Sequence, residues 1–238
     1  MSEWWTYSPR DLLLFSPQTY YRLFELHNQA WWPLPLIALA LGVALPVLWR
    51  RGGARAGRIM ALILAAGWLW VAWAYHAQRY ASINLLADLF AWAFVAQAVL
   101  LLWLGAVRDG FTPGPATGWA ARIGLVLVLL GVLGFPLLAP LLDRSWAHAE
   151  IFGMAPDPTV LVTLGVLLLA GARPLWMLFP VPLLWCLISG TTLWAMDAPE
   201  FALLPLAAVL ALAGAVMRAR LGADAIRSPG AGSARPGR

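Results

Sequence analysis

The sequence predicts an all-α fold: a polytopic membrane helix bundle of about seven transmembrane helices. Three observations predict it. The chain is 62% hydrophobic and 11% charged, against about 25% charged residues in ordinary soluble domains. A soluble protein of 238 residues could not cover so apolar an interior with so few charges. Long apolar runs recur from residue 32 onward, most of them long enough to cross a hydrocarbon core of about 30 Å. Finally, the ionisable residues sort by side. One set of connecting segments carries Arg50, Arg51, Arg55, Arg58, Arg108, Arg122, Arg173, Arg218, Arg220, Arg227, Arg235 and Arg238, with only Asp109 and Asp224 as acids. The alternate set carries Arg10, Arg22, Arg79 and Arg144, the other nine acids and all three histidines. Arginine excess marks the cytoplasmic side. The N-terminus is therefore expected outside and the C-terminus in the cytoplasm, as an odd number of spans requires. The net charge of +5 reads as a face turned to anionic lipid headgroups, with no implication of nucleic-acid binding.

Residues 1–30 are polar and aromatic and do not span. Ser8-Pro9 and Ser16-Pro17 each combine a serine N-cap with proline at the first helical position. Leu12, Leu13, Leu14 and Phe15, then Tyr20, Tyr21, Leu23, Phe24 and Leu26, give short amphipathic stretches. With Trp4, Trp5, Trp31 and Trp32 alongside, an extracytoplasmic interfacial segment is predicted. No basic region precedes an apolar stretch at the N-terminus, so no signal peptide is expected.

A seven-helix domain follows over 31–220. Its spans are predicted at 32–49, 59–75, 83–107, 120–142, 158–172, 174–196 and 199–217. The fifth is short for a full crossing. Residues 109–117 form a Gly- and Pro-rich loop on the arginine side, 143–158 the longest loop on the other side, and 221–238 a disordered cytoplasmic tail.

Composition also excludes functions. The chain has no lysine, so a retinal Schiff base is impossible. Cys186 is the single cysteine, which excludes an internal disulfide and suits a packing role. No phosphate-binding loop, nucleophile elbow, Cys-x-x-Cys or His-Glu-x-x-His is present. The abundance of Ala, Gly, Pro, Leu and Arg suggests a GC-rich bacterial genome and hence the bacterial cytoplasmic (inner) membrane.

The polar chemistry gathers on the side away from the arginines. His76 and Arg79 close the second span, Asn84 and Asp88 open the third and share a face, and His148 and Glu150 lie in the long loop beside Asp143. These six, His76, Arg79, Asn84, Asp88, His148 and Glu150, are the candidate ligand-binding residues. Ionisable groups collect in loops whatever a protein does. Asp88 is different, because the predicted boundaries put it about one and a half turns inside a span, where a charge costs about 3 kcal/mol. Arg79 is its expected partner. His27, His76 and His148 form a candidate metal or haem set, although none shares helical spacing with another. Pro180 and Pro182 interrupt the sixth span and offer a helix break, with Ser189, Thr191 and Thr192 able to satisfy freed carbonyls. Trp68, Trp73 and Trp92 lie deeper than the interfacial tryptophans and could line a pocket for an aromatic or cationic ligand. No catalytic residue emerges and the cofactor is undetermined.

Several segments carry a resemblance: Trp4-Trp5-Thr6-Tyr7 with Asp11 to Pro17, Tyr20-Tyr21-Arg22-Leu23-Phe24-Glu25, Trp73-Ala74-Tyr75-His76 with Arg79-Tyr80 and Ile83-Asn84, and Ile188-Ser189-Gly190 with Thr192 to Met196. Over nearly its whole length the chain resembles a bacterial family of small multi-pass inner-membrane proteins that bears a domain-of-unknown-function label and is sometimes named as transporter permeases. The resemblance brings no activity, ligand or site residue, and 238 residues do not accommodate a twelve-span permease. The leading expectation is small-solute binding or transport through an outward-facing polar pocket. The alternatives are a membrane-embedded metal- or haem-binding redox or enzyme subunit, marked by bound metal, and a non-catalytic accessory subunit, marked by a co-purifying protein partner.

Overall fold

The computed structural model describes residues 15–112, 118–170 and 175–227. The first serine–proline signal, the loop tip at 113–117, Arg173 with the predicted junction of the fifth and sixth spans, and residues 228–238 lie outside the described residues.

Among the described residues the chain is helical throughout, in the order α1 (Pro17–Ala30), α2 (Leu34–Arg51), α3 (Gly53–Trp70), α4 (Ala87–Leu100), α5 (Trp119–Leu129), α6 (Phe135–Leu141), α7 (Pro156–Leu169), α8 (Pro180–Ala195) and α9 (Leu203–Arg227). π-helical turns extend α3 over Val71–Ala77 and α4 over Leu101–Val107, and join α5 to α6 over Leu130–Gly134. Six helical stretches are long and apolar enough to cross a membrane: Leu34–Arg51, Gly53–Ser82, Ala87–Val107, Trp119–Leu141, Trp176–Ala195 and Leu203–Arg220. They carry the membrane bundle. The remaining predicted crossing, the fifth at 158–172, corresponds to the shorter α7.

α1 begins where the second serine–proline signal placed it. Ser16 is the N-cap, its hydroxyl accepting from the Thr19 amide at 3.2 Å, and Pro17 is the first helical residue. Its inner face, Tyr20, Leu23, Phe24 and His27, is buried, so α1 lies across one end of the bundle as a roof. The opposite end carries the arginines. There Arg58 donates from Nε and one terminal nitrogen to both carboxylate oxygens of Asp109, at 2.5 and 2.7 Å. That fork ties α3 to the chain leaving α4 and holds the exposed Asp109 carboxyl below its usual range.

All fourteen residues of α7 are buried. At about 1.5 Å per residue it is about 21 Å long, too short to cross alone. The contacts show how the crossing is completed. Gly153, just before α7, sits against Gly67, well inside the extended α3, and Ala38 in the second turn of α2. The 142–155 loop has therefore already folded inward before the helix starts. At the other end Gly165 meets Gly124 near the start of α5, and Leu168 meets Gly214 in α9. α7 thus runs from the interior of the bundle to the arginine end. Its enclosure by protein removes the need to match a bilayer thickness.

An interior helix start must satisfy its own backbone, because no water reaches it. Thr159 Oγ1 accepts from the Gly153 amide at 2.8 Å and donates to the Ala155 carbonyl at 2.7 Å. Thr163 donates to the Thr159 carbonyl and accepts from Trp68 Nε1 at 2.8 Å. Gly153 has φ +75°, left-handed backbone that favours glycine. At the far end the Arg218 guanidinium donates to the Leu168 carbonyl, one of the carbonyls a helix C-terminus leaves unpaired.

Two expectations are corrected here. Pro180 and Pro182 do not break a span. A short 3₁₀ turn (Trp176–Leu178) precedes α8, Pro180 is its first residue, and both prolines lie in its first turn. There the missing N–H would have been unpaired in any case. Thr191 and Thr192 bond the carbonyls of Leu187 and Ile188 four residues back, so they answer no break. And α9 continues to Arg227, past the predicted start of the tail, through Leu221, Ala223 and Ala225, whose helix propensity is high.

Candidate functional site

Directly beneath α1 the bundle buries a packed cluster of polar and aromatic side chains, here called the chamber. The π turn at Val71–Ala77 sets its centre. A π turn inserts a residue into the helical count and rotates the following side chains. Here the segment buries both Tyr75 and His76, 1% and 0% exposed. His76 sits in a box of five rings, with centroids at 4.5 Å (Phe94), 5.0 Å (Trp185), 5.5 Å (Tyr75), 5.9 Å (Tyr80) and 6.0 Å (Phe90). The roof closes on Tyr75. Phe24 stacks on it at 5.2 Å, and His27 meets it edge-on at 6.0 Å. Both histidines therefore flank one tyrosine ring.

Two buried carboxylates complete the chamber. Asp157, in the first turn of α7, accepts from Trp185 Nε1 at 2.8 Å and from Ser189 Oγ at 2.6 Å. Its position at a helix N-terminus also places it where the backbone dipole favours negative charge. Glu150 lies under the roof, 8% exposed. Its neighbourhood is fixed by Asn28 of α1, whose amide nitrogen donates to the carbonyls of Ala147 and Ala149 at 3.0 and 2.9 Å.

Within this chamber the ring nitrogens of both His27 and His76, the Tyr75 hydroxyl and Glu150 Oε2 make no hydrogen bond of normal geometry among the described residues, although the Tyr20 hydroxyl lies close enough to act on Tyr75. Leaving a buried polar group unpaired costs about 1–3 kcal/mol. Four such side chains from three segments of the chain, around one tyrosine, are a concentration that packing alone does not require.

Burial, with the Arg79 charge adding to it, lowers the His27 pKa to about 4. His27 is neutral at pH 7 in the folded protein and titrates near 6.5 once unfolded. The unfolded chain binds the extra proton between those values, so stability is full above about pH 6.5 and is lost as pH falls toward 4. In thermal unfolding scans, wild type should lose about 3 kcal/mol relative to His27→Leu over that interval. A constant difference between the two proteins would contradict a buried neutral imidazole.

The rim outside the chamber is charged. Arg144 lies over the Tyr21 ring, 3.8 Å from its centroid, and pairs with Glu200 at 2.7 Å, while Tyr21 donates to the same Glu200 oxygen at 2.9 Å. Burial, followed by the Glu200 charge, raises the Tyr21 pKa. His148 Nε2 is 3.5 Å from Glu25. A groove of about 570 Å³ runs between Tyr21, Glu25, Arg144 and His148, and one of about 360 Å³ lies between Tyr21, Arg144 and Asp197 to Glu200.

Of the sequence-predicted residues, the structure brings His76 and Glu150 to the chamber, together with His27 from the metal set. His148 is on the rim. Among the described residues no group of three or more His, Cys, Asp or Glu side chains is placed to hold a metal ion. Arg79 is partly exposed, within Coulombic reach of His27. Asn84 Oδ1 accepts from the Leu86 amide at 2.8 Å, a local turn leading into α4. Asp88 is exposed, and among the described residues it pairs with no arginine within 4 Å. The predicted span began at residue 83, but α4 begins at Ala87, so Asp88 occupies the outer turn and needs no partner. Trp73 and Trp92 face outward, 48% and 71% exposed, and Trp68 is bound to Thr163. None of these three opens onto the chamber.

Sequence reasoning missed Asp157, Trp185 and Ser189. For Asp157 a signal existed: Pro156-Asp157 immediately before a long apolar run is a helix start, with a charge at its head. Nothing in the sequence paired it with residues 28 and 32 positions further on.

Residues 17–224 match the family described as "Family of unknown function (DUF6064)". Among curated proteins, the chain is 31% identical over 143 residues to the human adhesion G protein-coupled receptor D2; the match covers 52% of this chain and 14% of the receptor. No solved structure matches.

Proposed function

The chain belongs to the family of unknown function DUF6064, and we propose its function from the site: it binds a small polar solute in the chamber beneath α1, as the entry step of transport. The unpaired polar atoms of His27, Tyr75, His76 and Glu150 around one tyrosine ring carry this reading. They supply donors and acceptors that a ligand can satisfy, inside walls that exclude water. The interior start of α7 supports it, because interrupted helices in membrane proteins present their N-terminal ends to substrates near the bilayer midplane. In this reading the α1 end faces out of the cell, the rim grooves beside Tyr21 and Arg144 are the approach, and α1 must shift for a solute to enter. The arginine end lies in the cytoplasm of a bacterial inner membrane, where the exposed Arg50, Arg51, Arg55 and Arg58 meet anionic headgroups.

The test is thermal unfolding of the protein in lipid nanodiscs against a panel of small neutral polyols, carboxylates and alkylammonium ions. One class should raise Tm in wild type and fail to do so in Tyr75→Phe, which removes only a hydroxyl and should stay folded. A ligand held at about 100 times its Kd adds about 2.7 kcal/mol. Stabilisation that survives unchanged in Tyr75→Phe and in His76→Leu would place the solute elsewhere.

A further inference from the structure

Glu150 and Asp157 share the chamber but not an environment. Both are buried, 8% and 1% exposed, and neither is joined to an arginine or histidine by an ion pair within 4 Å among the described residues. Asp157 receives a donor on each oxygen, from Trp185 and Ser189, and heads α7. Burial works against the ionised form of Asp157, and those contacts offset it in part. Glu150 Oε2 has no donor, and a second negative charge next to an ionised Asp157 is unfavourable. When two neighbouring acids are placed so differently, one holds the proton and the other the charge.

We propose that Glu150 is a proton-binding site of the chamber: its Oε2 carries a proton at neutral pH, taken from and returned to solvent through the rim, while Asp157 stays ionised. The only bond made or broken is the O–H bond on Glu150, and water supplies and accepts the proton. Titratable and charged groups face Glu150 from each neighbouring element: Tyr20 and Tyr21 of α1, Tyr75 beyond α3, Asp157 of α7, and Arg144 with Glu200 at the rim. Burial holds the Glu150 carboxyl well above its usual range and repulsion from Asp157 adds to this. The Arg144 charge, already paired with Glu200, offsets only part of it. The inference deepens the solute-binding reading by naming a titratable group in the same chamber, but its test reads the proton alone and needs no solute.

The measurement is infrared spectroscopy of the full-length protein in nanodiscs, following the carbonyl stretch of protonated carboxylic acid from about pH 5 to about pH 9. Wild type should show, at neutral pH, a band equivalent to one buried carboxylic acid that disappears as pH rises. At pH 7 and above, Glu150→Gln should abolish that band, and Asp157→Asn should retain it. A wild type without the band, or a band that survives Glu150→Gln, overturns the proposal. A band lost only in Asp157→Asn overturns the assignment to Glu150. Folding provides a second reading, since glutamine imitates the protonated acid. Glu150→Gln and wild type should share a Tm near pH 5, with wild type falling below the variant as pH rises, because a carboxyl whose pKa folding raises loses stability on ionisation. A variant less stable than wild type across the whole range would also overturn the proposal.

Discussion

Gly165→Ala should disrupt the bundle more than any other single-methyl change in α7. A Cβ at Gly165 would lie 2.6 Å from the Gly124 carbonyl oxygen and 2.8 Å from the Val128 amide nitrogen. Both are backbone atoms of α5, which cannot rotate aside as a side chain can. The helices must separate, and the enclosed packing around α7 separates with them. A cost of about 3 kcal/mol is expected, read as a large drop in Tm and in yield of monodisperse protein. Gly214→Ala is the matched control. Its Cβ would meet the flexible end of Leu168 at 3.1 Å, so less than about 1 kcal/mol should be lost. Equal Tm values for Gly165→Ala and Gly214→Ala would mean that α5 and α7 are not in backbone contact.

Asp157→Ala should destabilise by about 3 kcal/mol, because it leaves Trp185 Nε1 and Ser189 Oγ as buried donors without acceptors and each carries the full desolvation penalty. Asp157→Asn keeps one acceptor oxygen and should cost less. The diagnostic variant is Asp157→Ala combined with Trp185→Phe and Ser189→Ala. Removing the donors along with the acceptor leaves nothing orphaned, so the triple variant should be more stable than Asp157→Ala alone. Such a recovery is the mark of a coupled network. Additive losses in chemical or thermal unfolding would show that Asp157 stabilises through its position on α7 alone.

Much of the architecture is legible from one-dimensional pattern. Apolar runs place six long helices because their length is set by the membrane, and Ser16-Pro17 starts α1 because capping is a local event. α7 is placed to within two residues of its start, 158 against Pro156, but its enclosure by protein is not legible. The Gly153 turn and the threonine bonds that satisfy its backbone follow from tertiary enclosure, which no run of residues displays. The same division applies to the site. His76 and Glu150 are visible as titratable residues on the appropriate side. Their setting is not, since the ring box draws Phe90 and Phe94 from α4 and Trp185 from α8. Asp88 fails for a shift of four residues in a helix start, enough to move a carboxylate from the interior to the outer turn.

The enclosure of α7 bears on how the protein is made. A fourteen-residue helix headed by a carboxylate gains too little from lipid to leave the translocation channel unaided, and its polar hydroxyls are bonded to Trp68 and to the Gly153 turn. Its neighbours α8 and α9 are synthesised after it. The first four spans can therefore enter the bilayer as they emerge, whereas α7 must wait for the walls of its own compartment. Biogenesis of this chain is ordered by assembly as well as by sequence: the segment at the centre of the finished bundle is among the last to find its place.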